Sequence, residues 1–172
     1  MIYATARLYV REMTIDDIPA LRKTLQNEQT MYAYAHAFTD AEVNTWLANN
    51  LRRYQEDGFG LWAIIRKADQ EFIGQCGLTV QNFADQQVVE IGYLLQREYW
   101  GQGYAIEAAR GAKSYAFNQL HVPEVWSIIR DNNIASMNVA IRNGMLVRGK
   151  IMKHYYGIDM PHFGFMARNP QV

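Results

Sequence analysis

Residues 90–109 read E-I-G-Y-L-L-Q-R-E-Y-W-G-Q-G-Y-A-I-E-A-A. A strand-like run passes into a loop with two glycines, Gly101 and Gly103, and the loop opens a helix. The first N–H groups of a helix have no partner within it. With the helix dipole they form an anion site suited to a pyrophosphate. Glycines without side chains let an anion approach the main chain. A Walker A loop would need Gly-Lys-Ser/Thr, where this chain has Gly103-Tyr104-Ala105. A dinucleotide fingerprint, G-x-G-x-x-G/A, would need a small residue where Ile106 stands, and would follow a first strand rather than several. A helix start that uses its glycines only to turn also fits this segment.

Other chemistries find little support. His36, His121, His154 and His162 are isolated, with no Cys/His pair at metal-ligand spacing. No Gly-x-Ser-x-Gly elbow occurs. The one cysteine, Cys76, sits in a strand-like segment and reads as an inert, partly buried thiol. The 17 basic and 17 acidic side chains cancel, so no net field attracts nucleic acid. No run approaches the roughly 20 apolar residues of a membrane helix. With 49% hydrophobic and 20% charged residues, the 172-residue chain can bury a core. We expect one domain over residues 1–172, in the cytoplasm.

The elements that must position the loop follow from periodicity. A strand is expected at Leu8-Tyr9-Val10-Arg11, then a helix capped by Thr14 with Ile18, Leu21 and Leu25 as its apolar stripe. Thr39-Asp40-Ala41-Glu42 is a capping box for a second helix, with Val43, Trp46, Leu47 and Leu51 on one face. Strands follow at residues 61–65, 72–78 and 88–95, then the helix over residues 104–119. A strand at residues 125–129 leads through Asp131-Asn132-Asn133 into a short helix from Ile134 to Arg142 that ends at Asn143-Gly144. Strands near residues 147–152 and 163–167 close the chain. This order implies an α/β domain of α+β type. Its mixed sheet has about seven strands and about four helices, antiparallel through the early hairpins and parallel where a helix crosses from the fourth strand to the fifth.

On this frame the glycine loop resembles the coenzyme-A-binding motif of the GNAT acetyltransferase superfamily, Arg/Gln-x-x-Gly-x-Gly/Ala. Trp100 takes the first position, Gly103 the fourth and Ala105 the sixth. Tyr-Trp-Gly-x-Gly-Tyr is familiar in the branch resembling the RimJ/RimL ribosomal-protein N-terminal acetyltransferases. Four further segments are similar to that branch: Thr5-Ala6-Arg7-Leu8-Tyr9-Val10-Arg11, Phe72-Ile73-Gly74-Gln75-Cys76-Gly77-Leu78, Glu90-Ile91-Gly92-Tyr93, and Asn133-Ile134-Ala135-Ser136 through Asn143-Gly144-Met145.

The resemblance implies a GNAT fold and transfer of acetyl from acetyl-CoA to a primary amine, with no metal. It implies that the fourth and fifth strands splay and the pantetheine arm lies between them, along the main-chain groups of Tyr93 and Leu95. A main-chain N–H near Leu94 or Leu95 would face the thioester oxygen. The N–H groups of Trp100, Gly101, Gln102, Gly103, Tyr104 and Ala105 would hold the pyrophosphate. Asn133 would reach the cofactor from across the cleft, or serve as a helix cap. Glu90 is the candidate base, acting through a water, or else a polar residue on a strand face. Many relatives use a tyrosine as acid in the helix after the fifth strand. None lies between Ile134 and Arg142 here; Ser136 is the nearest hydroxyl, with Tyr155 and Tyr156 as outside candidates. The acceptor is a protein N-terminus or a small-molecule amine, met by residues 14–54 and 155–161. Those regions hold Tyr32, Tyr34, Phe38 and Trp46 but no acidic cluster, so a polyamine is not favoured. The chain is expected to be a monomer or homodimer. The alternative reading is an acyl-CoA-binding module of the same fold without turnover, motivated by the missing helix tyrosine.

Overall fold

The computed structural model describes residues 1–172. In chain order the elements are β1 (Tyr3–Ala4), β2 (Leu8–Arg11), α1 (Ile18–Leu25), α2 (Asp40–Glu56), β3 (Leu61–Arg66), β4 (Phe72–Phe83), β5 (Gln86–Leu95), α3 (Tyr104–Asn118), β6 (Glu124–Arg130), α4 (Ile134–Arg142), β7 (Leu146–Tyr155) and β8 (Ile158–Arg168). All eight strands form one sheet in the order β1-β2-β3-β4-β5-β6-β8-β7. Each pairing is antiparallel except β5 with β6, which are parallel and joined by the α3 crossover.

The sheet thus has one strand more than the seven expected. The addition is β1, whose two residues pair with Tyr9 and Val10 and are too few to show a period. β4 also runs past Leu78 to Phe83. Its polar end, Gln81-Asn82, continues the ladder to Gln87 and Gln86 of β5 across a turn in which Ala84 takes φ 52°.

Strand alternation divides the core between the two faces. Trp62, Ile64, Ile91 and Leu95 point to one face, where Ala108, Ala109, Ala112 and Ala116 let α3 lie close to the sheet. Leu61, Ala63 and Ile65 point to the other, against Leu21 and Leu25 of α1 and Val43 and Leu47 of α2. Burying each large side chain of this kind contributes on the order of 1.5–3 kcal/mol.

The α2 capping box forms as read: Glu42 N–H donates to Thr39 Oγ1 and the Glu42 carboxylate accepts from Thr39 N–H. The buried stripe of α2 is Val43, Leu47, Asn50 and Tyr54. Leu51, expected in that stripe, is 36% exposed. Asn50 is buried in its place because Leu61 N–H needs its side-chain oxygen, at 3.1 Å. Before α1, Ile15–Asp17 forms a 3-10 turn, with the Asp17 carboxylate held by Arg11 and by Thr14 N–H.

Candidate active site

The parallel pair β5–β6 has a single bridge, Glu90 opposite Trp126. The β4–β5 register is unbroken from Gly74–Leu95 to Phe83–Gln86, and Gln96 N–H donates to the Ile73 carbonyl. Ladder alternation therefore turns the main-chain groups of Glu90, Gly92 and Leu94 toward β4 and those of Ile91, Tyr93 and Leu95 toward β6. In a continued ladder the Ile128 N–H would donate to the Ile91 carbonyl. Instead it donates to the Glu90 carboxylate at 3.0 Å, and the buried Ser127 hydroxyl donates to the Ile91 carbonyl at 2.9 Å. Two side chains so replace the next rung. Beyond them the strands part, with Tyr93 and Leu95 facing the opening.

Glu90 sits at the vertex of this opening. Burial pushes its carboxyl above the ordinary carboxylate value; Lys153, the Ile128 N–H, Thr79 and Arg53 oppose the shift without cancelling it. A carboxylate of raised pKa is a stronger base near neutral pH.

At the far end of the opening, Arg97–Tyr99 makes a 3-10 turn and Gly101 takes φ 73°. Gly103 caps α3 in the left-handed region, φ 81°, and no side chain caps the helix. The N–H groups of Gly101, Gln102 and Gly103 have no protein partner, and those of Tyr104 and Ala105 lie in the first turn. No atom lies within 4 Å of where a Gly101 side chain would start. The loop is braced from outside: Arg7 is paired with Glu107, donates to the Gln102 carbonyl at 3.0 Å and stacks on Tyr104. Arg110 and Arg142 border the same helix start with no carboxylate partner. The arrangement suits a phosphate-bearing ligand.

The remaining walls enclose a cleft of about 390 Å³. The segment joining α1 to α2 brings in Tyr34 and Phe38, which meet Trp46 of α2 edge to face. Burial, then Glu90 and Tyr155, push the Tyr34 hydroxyl up to about 12. The β7–β8 hairpin turns at Tyr156-Gly157, both at positive φ as a two-residue hairpin turn requires. Its tip reaches the α1–α2 connection, where the Tyr156 ring lies 4.5 Å from that of His36, and the first turn of α2, where the Tyr156 hydroxyl donates to Glu42 at 3.4 Å. The expected acceptor segment, residues 155–161, thus begins as a hairpin tip over the cleft.

Residues 7–146 match the family model described as an acetyltransferase (GNAT) domain. The chain belongs to the GNAT acetyltransferase family. It is 36% identical over 142 residues to YkkB of Bacillus subtilis, covering 82% of this chain and 83% of that protein. A GNAT acetyltransferase of Bacillus anthracis superposes with a TM-score of 0.82 at 18% identity, covering 96% and 97% of the two chains. RimL, a ribosomal L7/L12 alpha-N-protein acetyltransferase solved in complex with coenzyme A, superposes with a TM-score of 0.78 at 18% identity, covering 97% of each. The α+β architecture described above is therefore the GNAT fold.

In this GNAT chain, Glu90, Tyr93, Leu94, Asn133 and Ser136 line one cleft. Leu94 turns its main chain toward β4, which leaves Leu95 as the residue whose N–H faces the opening. Trp100 also departs from the expectation. Its N–H donates to the Arg97 carbonyl, and its indole N–H donates to the Leu95 carbonyl at 3.0 Å. Trp100 ties the loop to β5, and the free N–H groups begin at Gly101. Asn133 is the cap of α4: its side-chain oxygen accepts from Ser136 N–H and from the Tyr32 hydroxyl. Its amide nitrogen keeps its hydrogens free. The Ser136 hydroxyl has no protein partner. The Ser136 carbonyl accepts from the Tyr93 hydroxyl at 2.7 Å, so a tyrosine reaches α4 after all, from β5. The sequence reading missed that phenol, and it missed Ser127, Arg53, Arg130 and Lys153. These come from four different elements, and no local pattern links them.

Proposed function

We propose that the chain transfers acetyl from acetyl-CoA to a primary amine, with the β5–β6 opening as the transfer site. The supporting observation is the vertex itself: a carboxyl of raised pKa stands where two strands part and expose main chain, and β5 leads on from there to a helix start without a side-chain cap. Acetyl-CoA supplies a thioester whose carbonyl carbon forms a C–N bond to the amine as the C–S bond breaks. The residues present fit that molecule. Gly101, Gln102, Gly103, Tyr104 and Ala105 offer main-chain N–H groups to a pyrophosphate. Tyr93 offers its main-chain groups to an extended arm; the Leu95 carbonyl is held by the Trp100 indole, and the Leu95 N–H is the donor for the thioester oxygen. The Asn133 amide faces the arm from α4.

Glu90 takes the ammonium proton, through a water, and releases it to solvent between turnovers. The departing thiolate belongs to a class with pKa near about 8.5, so a hydrogen bond from a hydroxyl donor suffices to steady it and its proton comes from solvent. Ser136 is that donor in this reading, while the Tyr93 phenol, pushed far upward by burial, holds α4 to β5. The acceptor is a protein N-terminus or a small-molecule amine.

Calorimetric titration with acetyl-CoA and a thiol-release assay over amines and N-terminal peptides test the reading. Saturable binding and amine-dependent thiol release are expected. Binding with no transfer to any acceptor would favour the non-catalytic module; no binding at about 100 μM would remove the cosubstrate.

A further inference from the structure

The walls of the cleft carry an uneven charge. Three cations line it, Arg53 of α2, Arg130 of β6 and Lys153 of β7, against one carboxylate, Glu90. None of the three is in an ion pair; of the other arginines, Arg7, Arg11, Arg22, Arg52 and Arg66 are paired and Arg97, Arg110, Arg142, Arg148 and Arg168 are not. The contrast is sharpest between neighbours on α2. Arg52 pairs with Glu56 along the outer face, while Arg53 turns to the cleft and acts on Glu90. Lys153 acts on Glu90 as well. The nearby acids are committed elsewhere, Glu42 to Thr39 and His36 and Asp159 to His154. Arg130 donates only long hydrogen bonds, 3.3 and 3.4 Å, to the carbonyls of Ala33 and Tyr32, and its buried Nε has no partner.

Unpaired cations in a partly enclosed site repel an incoming ammonium. One half-buried carboxylate cannot offset three of them. An amine that carries its own negative group meets this surface without that penalty, and guanidinium and ammonium groups are strong donors to carboxylates. In a chain of zero net charge, this local excess is a property of the cleft.

Resting on the acetyl-transfer reading, we propose that the preferred acceptor is a primary amine bearing a carboxylate, read by Arg53, Lys153 and Arg130. Two sources share this chemistry: the α-carboxylate of a free amino acid, and an acidic side chain beside a peptide N-terminus.

The test compares kcat/KM for matched acceptors with acetyl-CoA: free serine, methionine and phenylalanine against their amides, and Ser-Glu-amide against Ser-Gln-amide. The carboxylated member is expected to win by about ten- to hundredfold in at least one series. Which series shows it identifies the source. Arg53→Gln and Lys153→Gln also alter Glu90, so absolute rates will move for every acceptor. The readout is therefore the ratio within each pair, which is expected to fall about tenfold, mainly through KM. Equal use of both members, or preference for the amides, overturns the carboxylate claim while leaving acetyl transfer intact. A ratio unmoved in both variants overturns the residue assignment. Transfer to no member of either series, with transfer to other amines of the panel, overturns this proposal alone; transfer to no amine at all overturns the acetyl-transfer reading beneath it.

Discussion

Glu90 does two things at once. Its carboxylate accepts the Ile128 N–H that the ladder gives up, and it faces the opening created there. Its raised pKa means that the folded state binds its proton more tightly than the unfolded chain does. Ionised Glu90 therefore destabilises the fold. The cost is complete above the raised value and disappears as pH falls to the ordinary carboxylate range. Glu90→Gln keeps an acceptor for Ile128 N–H and removes the charge. Thermal melts are expected to show the variant more stable than the wild type at neutral pH, with the gap closing toward acid. A variant less stable at neutral pH would show that the carboxylate is held favourably. The sequence marked Glu90 as polar in an apolar strand, but not Ser127, whose hydroxyl completes the vertex. Its role depends on register across a parallel crossover, which one strand's pattern does not encode.

At the scale of elements, local chemistry was legible. The Thr39–Glu42 box, the Asn133 cap and the Asn143-Gly144 stop all act within a few residues of where they stand. Two-residue β1 and the polar end of β4 were not, because partners set them and their own residues do not. The glycine loop was legible as an anion site, and the structure divides its labour. Gly103 holds a left-handed backbone that presents free N–H groups, whereas Trp100 is a brace. A side chain at that φ is strained by about 1–3 kcal/mol. Gly103→Val should therefore shrink the binding-competent population and raise the acetyl-CoA Kd by about five- to hundredfold. Trp100→Ala should raise it less and show its cost in thermal stability. Calorimetry and melting on both variants check the pair; the reverse order of Kd effects would return Trp100 to the grip.

Across the whole molecule, composition concealed what the fold reveals. Equal numbers of acids and bases excluded a general attraction for polyanions, yet folding gathers Arg53, Arg130 and Lys153 around one carboxyl from segments up to 100 residues apart in sequence. The same assembly closes the cleft, with the α1–α2 connection on one side and the β7–β8 tip on the other. The sequence pointed to these regions as the acceptor walls through their aromatics, and could not weigh their charge. No helix is long and apolar enough to cross a membrane. Everything converges on the parting of β5 and β6, where Glu90 is assigned the amine's proton. The direct measurement is the pH dependence of acetyl-transfer kcat/KM for wild type and Glu90→Gln, with the acetyl-CoA Kd determined for both. A Glu90 base requires matching Kd values, a slower variant, and loss of the acid limb that reports the Glu90 carboxyl. A variant with an unchanged pH–rate profile would contradict it.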